Sequence, residues 1–143
     1  MRRFLFALTL IAALLVACGG SQATQTGDKP GRPITVSGGE YRDISVPELK
    51  TMLDNKDFTF VNVHIPFEGD IPNTDLSIPF DEISQHLDQL PADKDAKIVL
   101  YCRSDRMSNI AAEELVRQGY TNIYNLDGGF VAWEQQGFPI EGR

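Results

Sequence analysis

The sequence has 143 residues, of which 42% are hydrophobic, 23% charged and 9% aromatic. This length allows one domain of the usual size of roughly 100–150 residues, so a multidomain enzyme is excluded. The formal charge of -7 and the pI of about 4.7, with no run rich in lysine and arginine, argue against nucleic acid as a partner. Two cysteines and two histidines without metal-ligand spacing argue against a zinc site.

The beginning of the chain is typical of an export signal. Two arginines precede an apolar run over residues 4–17, which is shorter than the ~20 residues that cross a bilayer as a helix. The run ends in Leu-Val-Ala-Cys at residues 15–18, which resembles the lipobox of bacterial lipoproteins. The resemblance implies that residues 1–17 are a signal peptide and that Cys18 is lipidated, which would anchor the exported protein to the outer face of a bacterial membrane. An ordinary signal peptide with an incidental Cys18, or an uncleaved anchor, is the alternative.

Residues 19–39 differ sharply in composition from the rest of the chain. They contain six glycines and two prolines, and one isoleucine and one valine are their only large apolar residues. Such a segment buries too little apolar surface to offset the entropy that is lost on ordering. We therefore interpret residues 18–39 as the lipidated cysteine followed by a flexible linker. Residues 40–143 remain as the folded unit, and because Cys102 is its only cysteine we expect no internal disulfide.

The folded unit alternates between helix and strand patterns. A capping box at residues 45–48 starts a helix, and the run Ile-Val-Leu-Tyr at residues 98–101 is typical of a strand covered on both faces. The alternation predicts an α/β fold with an open, mostly parallel central sheet and helices on both faces. In chain order the predicted elements are a helix from Ser45, a strand over 58–63, a loop over 65–79, a helix from Asp81 to Pro91, a strand over 97–101, a helix from about Met107 that stops at Gly119, a strand over 122–126 and a short helix that ends at Gly137.

The loop after the strand at residues 98–101 is the first candidate for chemistry, because ligands in such folds lie outside the carboxyl ends of the strands. Cys102 ends the strand, and a helix begins a few residues later. Backbone N–H groups of such a loop and the positive end of the helix both favour an anion at the sulfur. Arg103 and Arg106 add positive charge, so we expect Cys102 to be a nucleophilic thiolate. The alternative is a small buried hydrophobic residue that closes the strand.

Four stretches of the sequence together form a recognisable pattern. They are Tyr-Cys-Arg-Ser at residues 101–104 with a helix from Ser108, Phe-Val-Asn-Val-His at residues 60–64, Ile-Pro-Phe at residues 78–80, and a closing stretch with Gly-Gly, Ala-Trp and Gly-Phe-Pro over residues 126–140. In this combination they resemble the rhodanese-like sulfurtransferases. The resemblance covers nearly all of the folded unit and implies one rhodanese-like domain over residues 40–143.

The resemblance also implies a mechanism and a set of site residues. Cys102 would take sulfane sulfur from polysulfide, a persulfide or thiosulfate and pass it from a persulfide to a thiol or cyanide acceptor. Neither a metal nor an organic cofactor is implied. His64 is a candidate for a supporting role behind the loop that binds the substrate. That loop consists of Arg103, Ser104, Asp105, Arg106, Met107 and Ser108.

Other uses of a cysteine loop fit this sequence less well. A tyrosine phosphatase needs an arginine at the position of Ser108 to clamp phosphate, and a thioredoxin-like protein needs a second cysteine at the position of Asp105. A cysteine protease needs a histidine base, for which only His64 is a candidate. Two alternatives to the enzyme are kept: a non-catalytic module of the same fold that binds a partner or carries persulfide, and a thiol redox sensor.

Some positions depart from the pattern of the family. Asp105 stands where glycine is common, and it either adds negative charge beside the anion site or caps the next helix. Met107 replaces a residue that is often arginine or threonine, which removes a cation that would help to hold thiosulfate. Asn62 and His64 replace an aspartate and an arginine, and we interpret them as a neutral structural substitute. We therefore expect weak activity with thiosulfate and better activity with polysulfides or small persulfides.

Overall fold

The computed structural model describes residues 29–143, so the predicted signal peptide and the predicted lipidation site at Cys18 lie outside the described residues. In this part of the chain no helix is long and apolar enough to span a bilayer. Two short 3-10 helices, Ile83–Gln85 and Leu87–Gln89, precede the fifth strand. The strands and α-helices in chain order are β1 (Arg32–Val36), β2 (Gly39–Ile44), α1 (Val46–Asp54), β3 (Thr59–Asn62), β4 (Leu76–Ser77), β5 (Ile98–Tyr101), α2 (Arg106–Arg117), β6 (Ile123–Leu126) and α3 (Gly129–Gln135).

The strands form one sheet in the order β1-β2-β6-β5-β3-β4. β1 and β2 pair antiparallel, and the other neighbouring strands pair parallel. β5 lies inside the sheet between β6 and β3, and every one of its residues is buried. Its unbroken apolar run is thus explained by packing on both faces, and the predicted α/β fold with an open, mostly parallel sheet is confirmed.

Helices cover both faces of the sheet, as predicted. On one face, α1 and α3 contribute Leu49 and Trp133 to a buried cluster that includes Tyr101 of β5. On the opposite face, α2 contributes Leu115 to a second cluster that includes Leu100, the strand neighbour of Tyr101. Each large apolar side chain buried in these clusters contributes about 1.5–3 kcal/mol. The two layers hold β5, and therefore the loop that follows it, from both sides.

The interpretation of residues 18–39 as a flexible linker is wrong for the part that the structure describes. β1 forms an antiparallel hairpin with β2, in which Ile34 lies opposite Tyr41. The Arg42 side chain also donates to the carbonyl oxygens of residues 29–31 at 2.6–3.1 Å. Backbone pairing and these side-chain bonds stabilise a segment whose apolar content alone could not order it. The folded unit therefore begins before residue 40.

The single helix predicted over residues 81–91 is also replaced by a different structure. Its backbone forms the two 3-10 helices, separated at His86, where φ is -119° and ψ is 27°. The first of them has Glu82 at its N-cap position, but the Glu82 side chain makes no cap hydrogen bond to the N–H groups of the first turn. Ile83 and Leu90 are buried all the same, because short turns place them against the core without a continuous helix.

Local signals located the other helices correctly. Ser45 and Glu48 form the predicted capping box at the start of α1. α2 ends at Arg117, and Gly119 follows with a φ of 91°, which is the left-handed conformation that a helix-stopping glycine supplies. α3 begins at Gly129, the second of the paired glycines. These elements fix the directions in which the chain enters and leaves the C-terminal edge of the sheet.

Candidate active site

The site lies at the C-terminal edge of β3 and β5, which are parallel neighbours. Asn62 pairs with Tyr101 in register, and the N–H of Val63 donates to the carbonyl oxygen of Tyr101 at 2.9 Å. The residues that follow the two strands therefore run side by side, which brings His64 next to the segment that begins at Cys102. This is the edge at which parallel α/β sheets bind ligands.

Cys102 is nearly enclosed, with 2% of its surface exposed. The hydroxyl oxygen of Ser108 lies 3.3 Å from its Sγ and 3.1 Å from the carbonyl oxygen of Asp105. A hydroxyl has one proton, so these two acceptors compete for it. Because a charged acceptor forms the stronger hydrogen bond, negative charge on the sulfur draws the proton towards Sγ. Ser108 is itself fully buried, and its bond to sulfur is therefore shielded from water.

The segment from Arg103 to Asp105 leads directly into α2, which begins at Arg106. The first hydrogen bond of the helix runs from the N–H of Asn109 to the carbonyl oxygen of Asp105 at 2.9 Å. Within the described residues, the N–H groups of residues 103–108 have no backbone acceptor. Consecutive unpaired N–H groups beside a helix N-terminus favour an anion. The loop therefore offers N–H donors to an anion that binds beside Cys102.

Asp105 has a role that neither sequence interpretation described. It stands at the N-cap position of α2, but its side chain makes no cap hydrogen bond, so the interpretation as a cap is wrong. Its Oδ1 instead accepts a hydrogen bond of 2.8 Å from the N–H of Gly128. Burial raises the pKa of this carboxyl group, the charges of Asp127 and Asp43 raise it further, and the bond from Gly128 opposes both. Asp105 thus links the cysteine loop to the turn before α3.

The start of α3 forms backbone hydrogen bonds to the cysteine loop. The N–H groups of Phe130 and Val131 donate to the carbonyl oxygens of Cys102 and Arg103 at 3.0 and 3.1 Å. Gly129 has a φ of 56°, and a Cβ there would lie 2.3 Å from the carbonyl oxygen of Cys102. No side chain fits in that space, so the glycine permits the close approach of α3 to the loop. The closing glycines of the sequence therefore act on the active loop through the backbone.

Asn62 is the structural substitute that the sequence indicated. Its side chain is fully buried and donates to the carbonyl oxygen of Gly69 at 3.1 Å and to the Asp70 carboxylate at 2.8 Å. Its Oδ1 accepts the N–H of His64 at 3.0 Å. The bonds to Gly69 and Asp70 tie the end of β3 to the loop over residues 65–70. Asn62 therefore positions the loop that carries Glu68.

His64 contacts Glu68 and does not pair with the cysteine. Its Nε2 lies 2.7 Å from the Glu68 carboxylate, and since a carboxylate only accepts, the proton sits on Nε2. Its Nδ1 is buried and has no hydrogen-bond partner among the described residues. The ring packs edge-on against Phe130, with centroids 5.5 Å apart. Neither ring nitrogen of His64 bonds Cys102, so the site lacks the cysteine–histidine pair of a cysteine protease.

The remaining loop side chains differ in their surroundings. Arg103 has a side chain that is 59% exposed, and its Nη1 lies 3.9 Å from Glu68 Oε2. Ser104 and Arg106 are exposed, and Arg106 appears in no ion pair of the described residues. Met107 is partly buried and packs against the core cluster beneath α2. Met107 therefore packs against the core, and the two arginines of the loop lie at the surface.

Two residues at this edge were not found from the sequence. Glu68 contacts His64 and Arg103 at once, and the Nε of Arg143 donates to its carbonyl oxygen at 2.8 Å. The Arg143 guanidinium also lies 5.2 Å from the centre of the Phe130 ring. Glu68 belongs to an aperiodic loop and Arg143 to the far end of the chain. No local pattern brings such residues together, so only the folded chain shows the cluster.

Comparisons with known proteins agree with this fold. Residues 45–136 match the rhodanese-like domain family. A protein named sulfurtransferase from Allochromatium vinosum is 37% identical over 92 residues, which cover 62% of this chain and 83% of that protein. A protein named tRNA uridine(34) hydroxylase from Erwinia tasmaniensis is 31% identical over 107 residues. That match covers 68% of this chain but only 31% of the hydroxylase.

Solved structures show the same likeness. A rhodanese-related protein from Thermoplasma volcanium matches with a TM-score of 0.59 and 30% sequence identity, covering 70% of this chain and 97% of that one. A rhodanese-like domain protein from Staphylococcus aureus matches with a TM-score of 0.57 and 30% identity, covering 70% of this chain and 98% of that one. Both neighbours are covered almost completely, so the match spans a whole domain.

Proposed function

The chain belongs to the rhodanese-like domain family, and we propose that it is a sulfurtransferase that moves sulfane sulfur through a persulfide on Cys102. The observation that carries this proposal is the surroundings of the thiol. Its Sγ lies at the end of β5 with the Ser108 hydroxyl 3.3 Å away, and the N–H groups of residues 103–108 have no backbone acceptor in the described part of the chain. Donors placed in advance around a sulfur stabilise the negative charge that forms during the reaction.

The reaction proceeds in two displacement steps on sulfur. The Cys102 thiolate attacks the outer sulfur of the donor, the sulfur–sulfur bond of the donor breaks, and the leaving group departs with the bonding electron pair. With thiosulfate the leaving group is sulfite, and with polysulfide it is a polysulfide shorter by one atom. An acceptor thiolate or cyanide then attacks the outer sulfur of the persulfide, which restores the Cys102 thiolate. Atoms and electrons balance without a metal or an organic cofactor.

Access to the thiol favours small or narrow donors. Cys102 is 2% exposed, so a donor can reach Sγ only with a terminal sulfur atom that projects from the rest of the molecule. Polysulfides, small persulfides and thiosulfate all have such an atom. We propose polysulfides and small persulfides as the better donors and a thiol or cyanide as the acceptor.

Steady-state turnover tests the proposed activity. The full chain is incubated with polysulfide or thiosulfate and with cyanide, and thiocyanate formation is measured beside the Cys102→Ser and Cys102→Ala variants. We expect turnover with at least one donor and its loss in both variants. Turnover that is equal in the native protein and the two variants would exclude Cys102 as the nucleophile. No turnover with any donor or acceptor would favour the non-catalytic module that binds a partner.

The place of action is proposed from the sequence. The lipobox-like run at residues 15–18 supports export and lipidation of Cys18, and two acyl chains give stable anchoring because each buried methylene contributes about 0.8 kcal/mol. We propose that the domain works on the outer face of a bacterial membrane. The relatives named tRNA uridine(34) hydroxylase do not change this proposal, since the match covers 31% of the hydroxylase and the formal charge of -7 is unfavourable for RNA.

A further inference from the structure

We infer that Glu68 determines the class of sulfur donor, by lowering the positive charge at the entrance to Cys102 so that donors with a single negative charge are favoured over the compact dianion thiosulfate. The inference rests on the proposed sulfurtransferase function. It goes beyond that function because it assigns the choice of donor to a residue outside the cysteine loop.

The position of Glu68 is built into the fold. Its carboxylate accepts a hydrogen bond of 2.7 Å from Nε2 of His64, whose side chain is 9% exposed. Its carbonyl oxygen accepts a second bond, of 2.8 Å, from Nε of Arg143. A largely buried donor and a bond to its own backbone thus hold the carboxylate in place. The charge of Glu68 is therefore a fixed part of the entrance.

Arg103 is the cation that this carboxylate offsets. It follows Cys102 directly in the chain, and its Nη1 lies 3.9 Å from Glu68 Oε2. An anionic donor that approaches the thiol meets Arg103 already paired with a carboxylate. Such an exposed pair is weak as a contribution to stability. Its effect on a ligand is larger, because the carboxylate cancels most of the field of the arginine at the distance of an incoming ion.

Other charges near the entrance do not replace the lost positive field. The Arg143 guanidinium is paired with Glu134 as well as lying over Phe130. Asp105 adds a carboxylate to the loop itself, with its Oδ1 on the Gly128 N–H. Arg106 is the exposed loop arginine without an ion pair in the described residues. Of the two arginines of the cysteine loop, only Arg106 is therefore without an ion pair among the described residues to attract a dianion such as thiosulfate.

Two donors that differ in charge but share the same reactive bond test the inference. Thiosulfate carries two negative charges and releases sulfite, whereas methanethiosulfonate carries one and releases methanesulfinate. In both, the thiolate attacks the outer sulfur and the same kind of sulfur–sulfur bond breaks. Coulomb energy scales with the charge of the ligand, so a change at Glu68 must affect thiosulfate more than methanethiosulfonate.

The experiment compares kcat/KM of the native full chain and the Glu68→Gln variant with both donors and saturating cyanide. Glutamine keeps an oxygen acceptor for His64 Nε2 and removes only the charge. We expect kcat/KM to rise about fivefold for thiosulfate and about twofold for methanethiosulfonate, as expected for one screened charge acting on a dianion and a monoanion. The difference between these two rises should vanish in ~1 M salt, where the screening length is about 3 Å.

Glu114→Gln is the matched control, because Glu114 also pairs with an arginine but lies near the far end of α2. We expect this variant to leave kcat/KM unchanged for both donors. Arg103→Gln provides the opposite test at an exposed side chain. It should lower kcat/KM more for thiosulfate than for methanethiosulfonate. The same rise for both donors in Glu68→Gln, or the same donor-dependent rise in Glu114→Gln, would overturn the inference while the proposed function stands. Native protein that is inactive with both donors and forms no persulfide with polysulfide would overturn the proposed function and the inference with it.

Discussion

At the scale of single residues, Ser108 links the fold to the chemistry of Cys102. It is fully buried on the first turn of α2, and its hydroxyl has Sγ and the Asp105 carbonyl oxygen as competing acceptors. It can therefore respond to charge on the sulfur without any movement of the backbone. A tyrosine phosphatase needs an arginine at this place. The serine fits a reaction whose negative charge develops on the cysteine sulfur and its persulfide.

Replacing Ser108 by alanine should slow the reaction without unfolding the domain. A hydrogen bond to a charged acceptor contributes about 1.5–3 kcal/mol, so we expect kcat/KM with polysulfide to fall about tenfold. Ser84→Ala is the control, because Ser84 is exposed on the first 3-10 helix. Thiocyanate formation measures the rate, and thermal unfolding checks the fold. An unchanged rate in Ser108→Ala would show that the hydroxyl does not act on the sulfur.

Asp105 should make stability depend on pH in a defined direction. Burial raises the pKa of its carboxyl group, so the folded state binds this proton more tightly than the unfolded state does. The resulting stabilisation is present below the pKa of the unfolded chain and is lost as the pH rises through the raised pKa of the folded state. At neutral pH the ionised Asp105 therefore lowers the stability of the native protein relative to acid conditions.

The Asp105→Asn variant isolates this effect, because asparagine still offers an oxygen to the N–H of Gly128. We expect the free energy of unfolding of the variant to exceed that of the native protein by more near neutral pH than at about pH 4. An ordinary aspartate is half protonated at about pH 4. Urea unfolding at the two pH values measures the difference. Asp81→Asn serves as the control, because Asp81 is exposed and is not among the charges that raise the pKa of Asp105. A difference that grows on acidification would contradict the assigned cause.

At the scale of elements, α3 stabilises the cysteine loop through backbone contacts. The N–H groups of Phe130 and Val131 bond the carbonyl oxygens of Cys102 and Arg103, and Gly129 has no room for a side chain. The position of the thiol therefore depends on a helix that follows it by more than twenty residues in the sequence. Among the described residues, Phe130 provides the only backbone N–H that bonds the carbonyl oxygen of Cys102.

Gly129→Ala should be strongly destabilising because its Cβ would lie 2.3 Å from the carbonyl oxygen of Cys102. We expect a loss of about 2–4 kcal/mol in the free energy of unfolding together with a loss of activity. Gly137→Ala is the matched control. Gly137 also has a positive φ, of 85°, but a Cβ there meets nothing within 4 Å, so only the backbone cost of about 1–2 kcal/mol remains. Equal losses in the two variants, measured by urea unfolding, would refute the close-approach argument.

Sequence patterns predicted the elements that depend on local interactions. The capping box at residues 45–48 and the stop at Gly119 are made by residues close together in the chain, and both are present. The apolar run at residues 98–101 predicted a strand covered on both faces because such coverage leaves no polar face. In each case the residues that determine the structure lie within the segment itself.

The patterns failed where distant contacts decide the structure. β1 has too few apolar residues to predict a strand, and its pairing with β2 and the bonds from Arg42 order it. Residues 81–91 have helical spacing, but two short turns without side-chain caps bury Ile83 and Leu90 instead. Glu68 comes to the site through a loop without periodicity. These three features become visible only when the whole chain is folded.

At the scale of the whole molecule, charge and location act together. The chain has a formal charge of -7, so its long-range field repels anions, and a dianion more strongly than a monoanion. This agrees in direction with the local effect assigned to Glu68. A domain held on the outer face of a membrane would also meet donors and acceptors from outside the cytoplasm. The proposed anchor therefore bears on which sulfur compounds reach the site.

Lipidation of Cys18 is tested by cell fractionation. Cys18→Ala should move the protein from the membrane fraction to the soluble fraction or leave an unprocessed precursor, because the acyl chains supply the anchoring. Cys102→Ala is the matched control and should stay with the membrane. Unchanged membrane retention of Cys18→Ala together with a normally cleaved N-terminus would refute the lipoprotein assignment.

The mass of the intact protein after exposure to polysulfide tests most directly whether Cys102 carries the transferred sulfur. We expect the native chain to gain the mass of one sulfur atom, the Cys102→Ser variant to gain none, and added thiol or cyanide to return the native protein to its starting mass. A native chain that gains no sulfur from polysulfide or thiosulfate, or a Cys102→Ser variant that gains as much as the native chain, would contradict sulfur transfer through Cys102.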